Sequence, residues 1–140
     1  LSPIIDLCNR EIISYQLSRR PDFKQITDML TKAFRKISKT ESILLHSDQG
    51  WQYQMKKYHE LLKGKNIIQS MSRKGNCLDN AIIENFFGTL KSELFYPKKY
   101  NSIEQLEREI KNYISYYNND RISGRLKGMS PIKYRAHYSN

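Results

Sequence analysis

No long hydrophobic run occurs anywhere in the sequence. Charged residues interrupt every apolar stretch well before the roughly 18 residues that a membrane span requires. Mean hydropathy is −0.72, and an integral membrane protein is not expected. Nor does the first stretch hold a basic region, an apolar core and a cleavage site in succession, so export is not expected. Cysteine is scarce: Cys8 and Cys77 lie far apart, with no Cys-x-x-Cys and no neighbouring His cluster. That argues against a disulfide scaffold or a structural zinc site, and for two free thiols in a reducing cytoplasm. Acidic residues number 14 against 24 Lys and Arg, for a net charge of +10. Such an excess points to a polyanionic partner, most simply nucleic acid, although a surface kept basic for solubility is the plainer alternative. A membrane surface is the third candidate, but no Lys/Arg-rich amphipathic helix of the interfacial type stands out.

The 140 residues, 39% of them apolar, are too hydrophobic for a disordered basic tail and sufficient for one domain with a real core. Two β-rich runs, Ile4–Leu7 and Glu11–Leu17, predict a hairpin around Cys8-Asn9-Arg10. Asp22 with Gln25 forms a helix-start pattern, and Ile26, Met29, Leu30, Ala33 and Ile37 follow helical spacing, which predicts a helix over 22–38. Residues 42–48 read as a buried central strand, Trp51–Leu62 as a helix stopped by Gly64, and Asn66–Met71 as another strand. A basic loop follows at 72–76. Asp79 then caps a helix to about Phe95 with an apolar stripe at Ile83, Phe86, Phe87, Leu90 and Leu94. Ser102 with Gln105 opens a last helix to Asn118, and the segment beyond reads as basic and irregular. Strands come early and then alternate with helices. The expected fold is therefore α/β, a mixed sheet covered by helices. The expected organisation is one domain: a core over 1–118 and a basic C-terminal tail over 119–140. Leu1 is not Met, and Leu1–Ile5 reads as the inside of a strand, so the chain is expected to begin partway into a fold.

Asp48 falls at the carboxyl end of a predicted strand, where α/β sheets collect ligand groups. Glu84 falls on the polar side of a predicted helix. Two carboxylates delivered this way can share a divalent cation, and magnesium suits such a site because it takes few carboxylates and keeps room for water and phosphate oxygens. By residue type alone, however, a helix-surface Glu is ordinarily solvated and an Asp after a strand ordinarily closes a turn.

Longer stretches bear on that choice. His46-Ser47-Asp48-Gln49-Gly50-Trp51-Gln52-Tyr53 resembles the motif around the second catalytic Asp of DDE transposases of bacterial insertion sequences, which have a retroviral-integrase-like core. Ser70 to Ala81, followed by Ile82-Ile83-Glu84-Asn85-Phe86-Phe87 and Leu90-Lys91-Ser92-Glu93, is similar to the segment that carries their catalytic Glu. Tyr116-Tyr117-Asn118-Asn119-Asp120-Arg121 and Met129–Tyr134 resemble their C-terminal signature. The 35 positions from 49 to 83 that separate Asp48 and Glu84 match the family's D-35-E arrangement.

The resemblance implies a ribonuclease H-like fold and an Asp, Asp, Glu site. It implies two magnesium ions, or manganese as a substitute, that activate water or a DNA 3′-hydroxyl for attack on a phosphodiester. DNA cleavage and strand transfer in transposition would follow, with transposon ends and target DNA as partners and a homo-oligomer assembled on them. Asp48 would be the second carboxylate and Glu84 the third. The first would lie upstream of Leu1, so the isolated chain is expected to be a truncated core, inactive or nearly so. Asp6 matches a different position and is expected to shape the hairpin, with Arg10 as its candidate partner.

Other residues follow from their chemistry. Lys91, two turns after Glu84, is expected at a DNA phosphate. Arg73 and Lys74 clamp phosphates or are simply exposed. His46 is expected to hydrogen-bond behind Asp48. Asn80 positions water or a metal-bound oxygen, or merely opens a helix. Arg121 meets DNA or caps the last helix. Ser123 stands where the family commonly has His, which weakens any part for this tail in the site. Tyr113, Tyr116 and Tyr117 stack on bases or pack the core, and core packing suits Tyr113 and Tyr117. The competing reading is a catalytically inert, basic nucleic-acid-binding module.

Overall fold

The computed structural model describes residues 1–37, 42–73 and 80–138. They fall into two compact units, Leu1–Ile4 with Ser14–Ala81, and Ile5–Ile13 with Ile82–Asn140. Strands β1 (Ser2–Ile5) and β2 (Ile12–Gln16) pair with each other and contribute residues to both units. Among the described residues no helix is long and apolar enough to cross a membrane.

In the first unit, α1 runs from Phe23 to Phe34, and Asp22 caps it by accepting the Gln25 N–H at 2.7 Å. The expected stripe of Ile26, Met29, Leu30 and Ala33 is its buried face. Strand β3 (Ile43–Ser47) lies parallel to β4 (Ile67–Met71), in a register that sets Ile43 opposite Ile67 and Ser47 opposite Met71. The core is Ile26, Met29 and Leu30 of α1 with Ile67 of β4, closed by Tyr58 and Leu62 of α2 (Lys56–Lys63). Strand side chains alternate between faces. Ile43 and Leu45 therefore pack against that core, while Leu44 is 63% exposed. The sequence reading of β3 as a fully buried strand holds for one face only.

The expected helix from Trp51 is broken. A 3-10 turn over Trp51–Gln54 is separated from α2 by Met55, whose backbone is extended at ψ 137°. The Tyr53 carbonyl, which a continuous helix would hand to residue 57, accepts instead from Gln69 Nε2 at 2.9 Å and His59 Nε2 at 3.0 Å. Asn66, at φ 55°, turns the chain from α2 into β4.

In the second unit, α3 (Ala81–Leu90) passes into a wide π turn at Lys91–Phe95, and α4 spans Ile103–Asn119. Ser102 accepts the Gln105 N–H at 3.1 Å and caps α4 as expected. Phe86, Leu90, Leu94, Tyr113, Ile114, Tyr117 and Leu126 are buried here. The aromatic pair Phe86 and Tyr117 meets edge to face at 5.1 Å. Beyond α4 the chain is not irregular. It makes a 3-10 turn at Gly124–Leu126, reverses through Lys127 and Gly128 at positive φ, and ends in α5 (Pro131–Tyr138). Pro at a first helical position is pre-organised for a helix start. The hairpin connection also lies in this unit: the Cys8 N–H donates to Asp6 Oδ1 at 2.7 Å, and Asp6 Oδ2 and Glu11 Oε2 both accept from Arg135, at 3.2 and 3.1 Å. Asp6 thus shapes the hairpin, with Arg135 as its cation, while the expected partner Arg10 meets it only by donating its backbone N–H to the Asp6 carbonyl.

Candidate active site

Asp48 is the first residue beyond β3, and its exposed carboxylate is oriented by the chain that follows. Oδ1 accepts the Gly50 N–H at 2.7 Å. A Cβ on Gly50 would lie 2.9 Å from that same oxygen, so only a glycine lets the loop close this tightly on the carboxylate. Gln49 ties the loop to the next strand by donating to the Ser72 carbonyl at 3.0 Å. The Ser72 N–H donates to the Ser47 carbonyl at 2.8 Å and carries the parallel pairing one residue further. The strand end under Asp48 is thereby held on both sides. Burial raises the affinity of the Tyr53 hydroxyl for its proton, and the negative charge of Asp48 adds to that rise.

His46 stands two residues before Asp48, where Nδ1 hydrogen-bonds Ser70 Oγ of β4 at 2.9 Å. Its Nε2 is buried without a partner among the described residues. Asn80 Nδ2 donates to Ser72 Oγ at 3.4 Å, a long bond back to the loop behind Asp48. Arg73 is exposed. Lys74 and the expected Asp79 cap lie outside the described residues.

Glu84 occupies the first turn of α3 and is exposed, as is Lys91, the first residue of the π turn. Arg121 is occupied otherwise than expected. Its Nε and Nη2 grip Glu93 in a two-pronged pair, with a shortest contact of 2.6 Å, while the Tyr113 hydroxyl donates to Glu93 Oε2 at 2.8 Å. The guanidinium hydrogen bonds hold the Glu93 carboxyl below the usual carboxylate range. Burial, with the Glu93 bond after it, pushes the Tyr113 hydroxyl well up. The Arg121 N–H also closes the end of α4 on the Tyr116 carbonyl at 2.9 Å, which is the capping part of its expected role. Tyr113 and Tyr117 pack in the core and Tyr116 is exposed. The pairing of Glu93 with Arg121 had no local signal in the sequence, since 27 positions intervene between the two residues.

Asp48, His46, Arg73 and Asn80 thus belong to the first unit, and Glu84, Lys91 and Arg121 to the second. Neither Asp48 nor Glu84 has a cationic partner among the described residues, and the only bond either carboxylate makes there is that of Asp48 to the Gly50 N–H. Exposed carboxylates left free in this way are the hard oxygen donors that magnesium takes. No cluster of three His, Cys, Asp or Glu suited to a metal ion occurs among the described residues.

Comparison with known proteins decides what the arrangement belongs to. The integrase core domain matches residues 1–77 and, through a second description of the same domain, residues 84–138. The chain belongs to the integrase core domain family. Among its relatives, the putative transposase InsK of insertion sequence element IS150 from Escherichia coli K12 is 56% identical over 135 residues, which is 96% of this chain and 48% of InsK. An uncharacterized transposase-like protein of Haemophilus influenzae is 54% identical over 140 residues, all of this chain and 64% of that protein. The chain spans about half to just under two thirds of the length of these relatives. In solved structures, the integrase core domain fold recurs in a simian T-cell lymphotropic virus intasome with a TM-score of 0.71 and 14% identity, over 88% of this chain and 42% of that one. It recurs in the catalytic core domain of BIV integrase with a TM-score of 0.62 and 17% identity, over 86% of this chain and 76% of that one. The expected ribonuclease H-like α/β fold is therefore the fold of this chain, and the expected membership among transposases with an integrase-like core is met.

Proposed function

We propose that Asp48 and Glu84 are carboxylates of a DDE transposase site, each a ligand for the divalent cation used while a DNA phosphodiester is attacked. The observation that carries the reading is that Asp48 and Glu84 are exposed carboxylates without a cationic partner among the described residues, in a chain of net charge +10. Several other acids among the described residues are taken up by bases, as Glu93 is by Arg121, Asp6 and Glu11 by Arg135, and Glu109 by Lys98.

Magnesium, or manganese in its place, would supply Lewis-acid activation of water or of a DNA 3′-hydroxyl and stabilise the oxygens of an in-line displacement at phosphorus. The Gly50 N–H fixes one oxygen of Asp48, which leaves Oδ2 to face the cation. Behind it, His46 and Ser70 brace β3 against β4. Lys91, exposed at the start of the π turn that follows α3, neutralises a backbone phosphate next to the reacting one, and Arg73 and Lys74 do the same. Asn80 supports the loop through Ser72. Arg121 acts through structure: committed to Glu93, it fixes the end of α4 rather than gripping DNA. The substrates are transposon ends and target DNA, handled by several copies of the protein together.

The test is manganese-dependent joining of a labelled DNA 3′ end into a plasmid, by the chain and by a form carrying its native upstream sequence, with Asp48 intact or as Asp48→Asn. Joining that requires Asp48 supports the reading. Equal DNA binding by intact and Asp48→Asn protein, with no joining by either form, returns the chain to an inert binding module.

A further inference from the structure

A second basic site lies within the second unit, on the face of α3 opposite Glu84. A cleft of about 60 Å³ is lined by three arginines, Arg10, Arg121 and Arg125, together with Phe86 and Tyr117. Asn85, Thr89 and Ser123 add neutral hydrogen-bonding groups to its wall. Arg121 has its guanidinium on Glu93, but no carboxylate among the described residues pairs with the Arg10 or Arg125 side chain. The Arg121 guanidinium also lies 5.8 Å from the centre of the Tyr117 ring.

The backbone is set so that Arg10 reaches this position. Arg10 sits at φ 64°, a left-handed conformation that a residue with a Cβ seldom adopts. Its neighbours leave it no alternative: the Arg10 N–H donates to the Asp6 carbonyl at 2.9 Å, and the buried Asn9 amide donates to the Pro131 carbonyl at 3.1 Å and to Glu11 at 3.2 Å. Strain held by a surrounding network is a marker of functional positions. The residues α3 turns to the cleft, Ile82, Asn85, Phe86 and Thr89, follow 3–4 spacing along one face. Glu84 and Gly88 lie on the other. The cleft and Glu84 are thus separated by the thickness of a helix, about 10–12 Å.

We propose that this cleft binds a phosphate group of a nucleic-acid strand, remote from the phosphate under attack, with Arg10 and Arg125 forking its oxygens. Arginine suits the task because its planar fork matches phosphate geometry with two parallel bonds. The wall hydroxyl of Ser123 adds a donor to the oxygen shell. The nucleic-acid part of this assignment rests on the function proposed above, whereas phosphate capture by the cleft does not.

The experiment measures binding of a labelled DNA duplex across a salt series, and competition by inorganic pyrophosphate and by adenosine monophosphate. The proteins are the intact chain, Arg125→Gln, the Arg10→Gln/Arg125→Gln pair, and Lys91→Gln. Removing one cation that neutralises a phosphate lowers the slope of log affinity against log salt by about 0.9. Expected are a decrease near 0.9 for Arg125→Gln and near 1.8 for the pair, with pyrophosphate competing against the intact chain only. Arg125 is exposed, so its single variant tests the site even where the pair fails to fold. Unchanged slopes overturn the assignment. Arginine-dependent capture of pyrophosphate or the mononucleotide with an unchanged DNA slope overturns the nucleic-acid source and leaves a free-phosphate site. Loss of joining by Asp48→Asn speaks to the catalytic reading alone and moves none of these quantities.

Discussion

The side-chain amide of Asn118 and the backbone of Ile12 exchange two hydrogen bonds. Asn118 Oδ1 accepts the Ile12 N–H at 2.9 Å, and Asn118 Nδ2 donates to the Ile12 carbonyl at 3.0 Å. A helix-end side chain thereby serves as the strand partner that Ile12, only 2% exposed, would otherwise lack. A buried backbone group left unsatisfied costs about 1–3 kcal/mol. Asn118→Ala is therefore expected to destabilise the second unit by about 2–4 kcal/mol, read from the urea midpoint. Asn118→Asp, which keeps the acceptor and loses the donor, falls between Ala and Asn. Equal stability of Asn118→Ala and the intact chain contradicts the pairing.

The Glu93–Arg121 clamp makes stability depend on acid. The folded-state pKa of Glu93 is lowered, first by the hydrogen bonds from Arg121. A lowered carboxylate contributes stability that is present above its unfolded value, about 4.3, and is lost as pH falls through the folded value. Thermal melts of the intact chain and Glu93→Gln should differ most near neutrality and converge as pH falls below about 4. A gap that stays constant with pH removes the ion pair from the account of stability.

Gly50 is expected to be a functional position without being a structural one. Its φ of −54° is open to any residue, yet an added methyl meets Asp48 Oδ1 at 2.9 Å and Gln52 Nε2 at 2.8 Å. Both are side-chain ends that can move aside. Gly50→Ala should therefore keep its thermal midpoint while weakening manganese binding by about 10–100-fold, the usual cost of disturbing the partner that orients a ligand. A lowered midpoint with unchanged metal affinity would place the strain in the backbone instead.

Legibility of the sequence divides by distance along the chain. Caps are local, and Asp22 with Gln25 and Ser102 with Gln105 were readable because donor and acceptor lie three residues apart. Asp48 at a strand end and Glu84 on the polar side of a helix were readable for the same reason, since each depends on the phase of one element. The break at Met55 was not, because it follows from Gln69 and His59 capturing the Tyr53 carbonyl. The clamp on Glu93, the amide of Asn118 at Ile12 and the three-arginine cleft all join residues far apart in sequence. The α5 helix was not legible because its polar and apolar residues do not separate into faces, although Pro131 marked its start.

Whether Asp48 and Glu84 act on one cation is tested most directly by manganese binding, followed by titration calorimetry. The proteins are the intact chain, Asp48→Asn, Glu84→Gln and the double variant. Residues that hold one ion together are strongly non-additive. Each single substitution should then cost nearly as much affinity as both combined. Losses that simply add, or affinity unchanged in either single variant, would contradict a shared site.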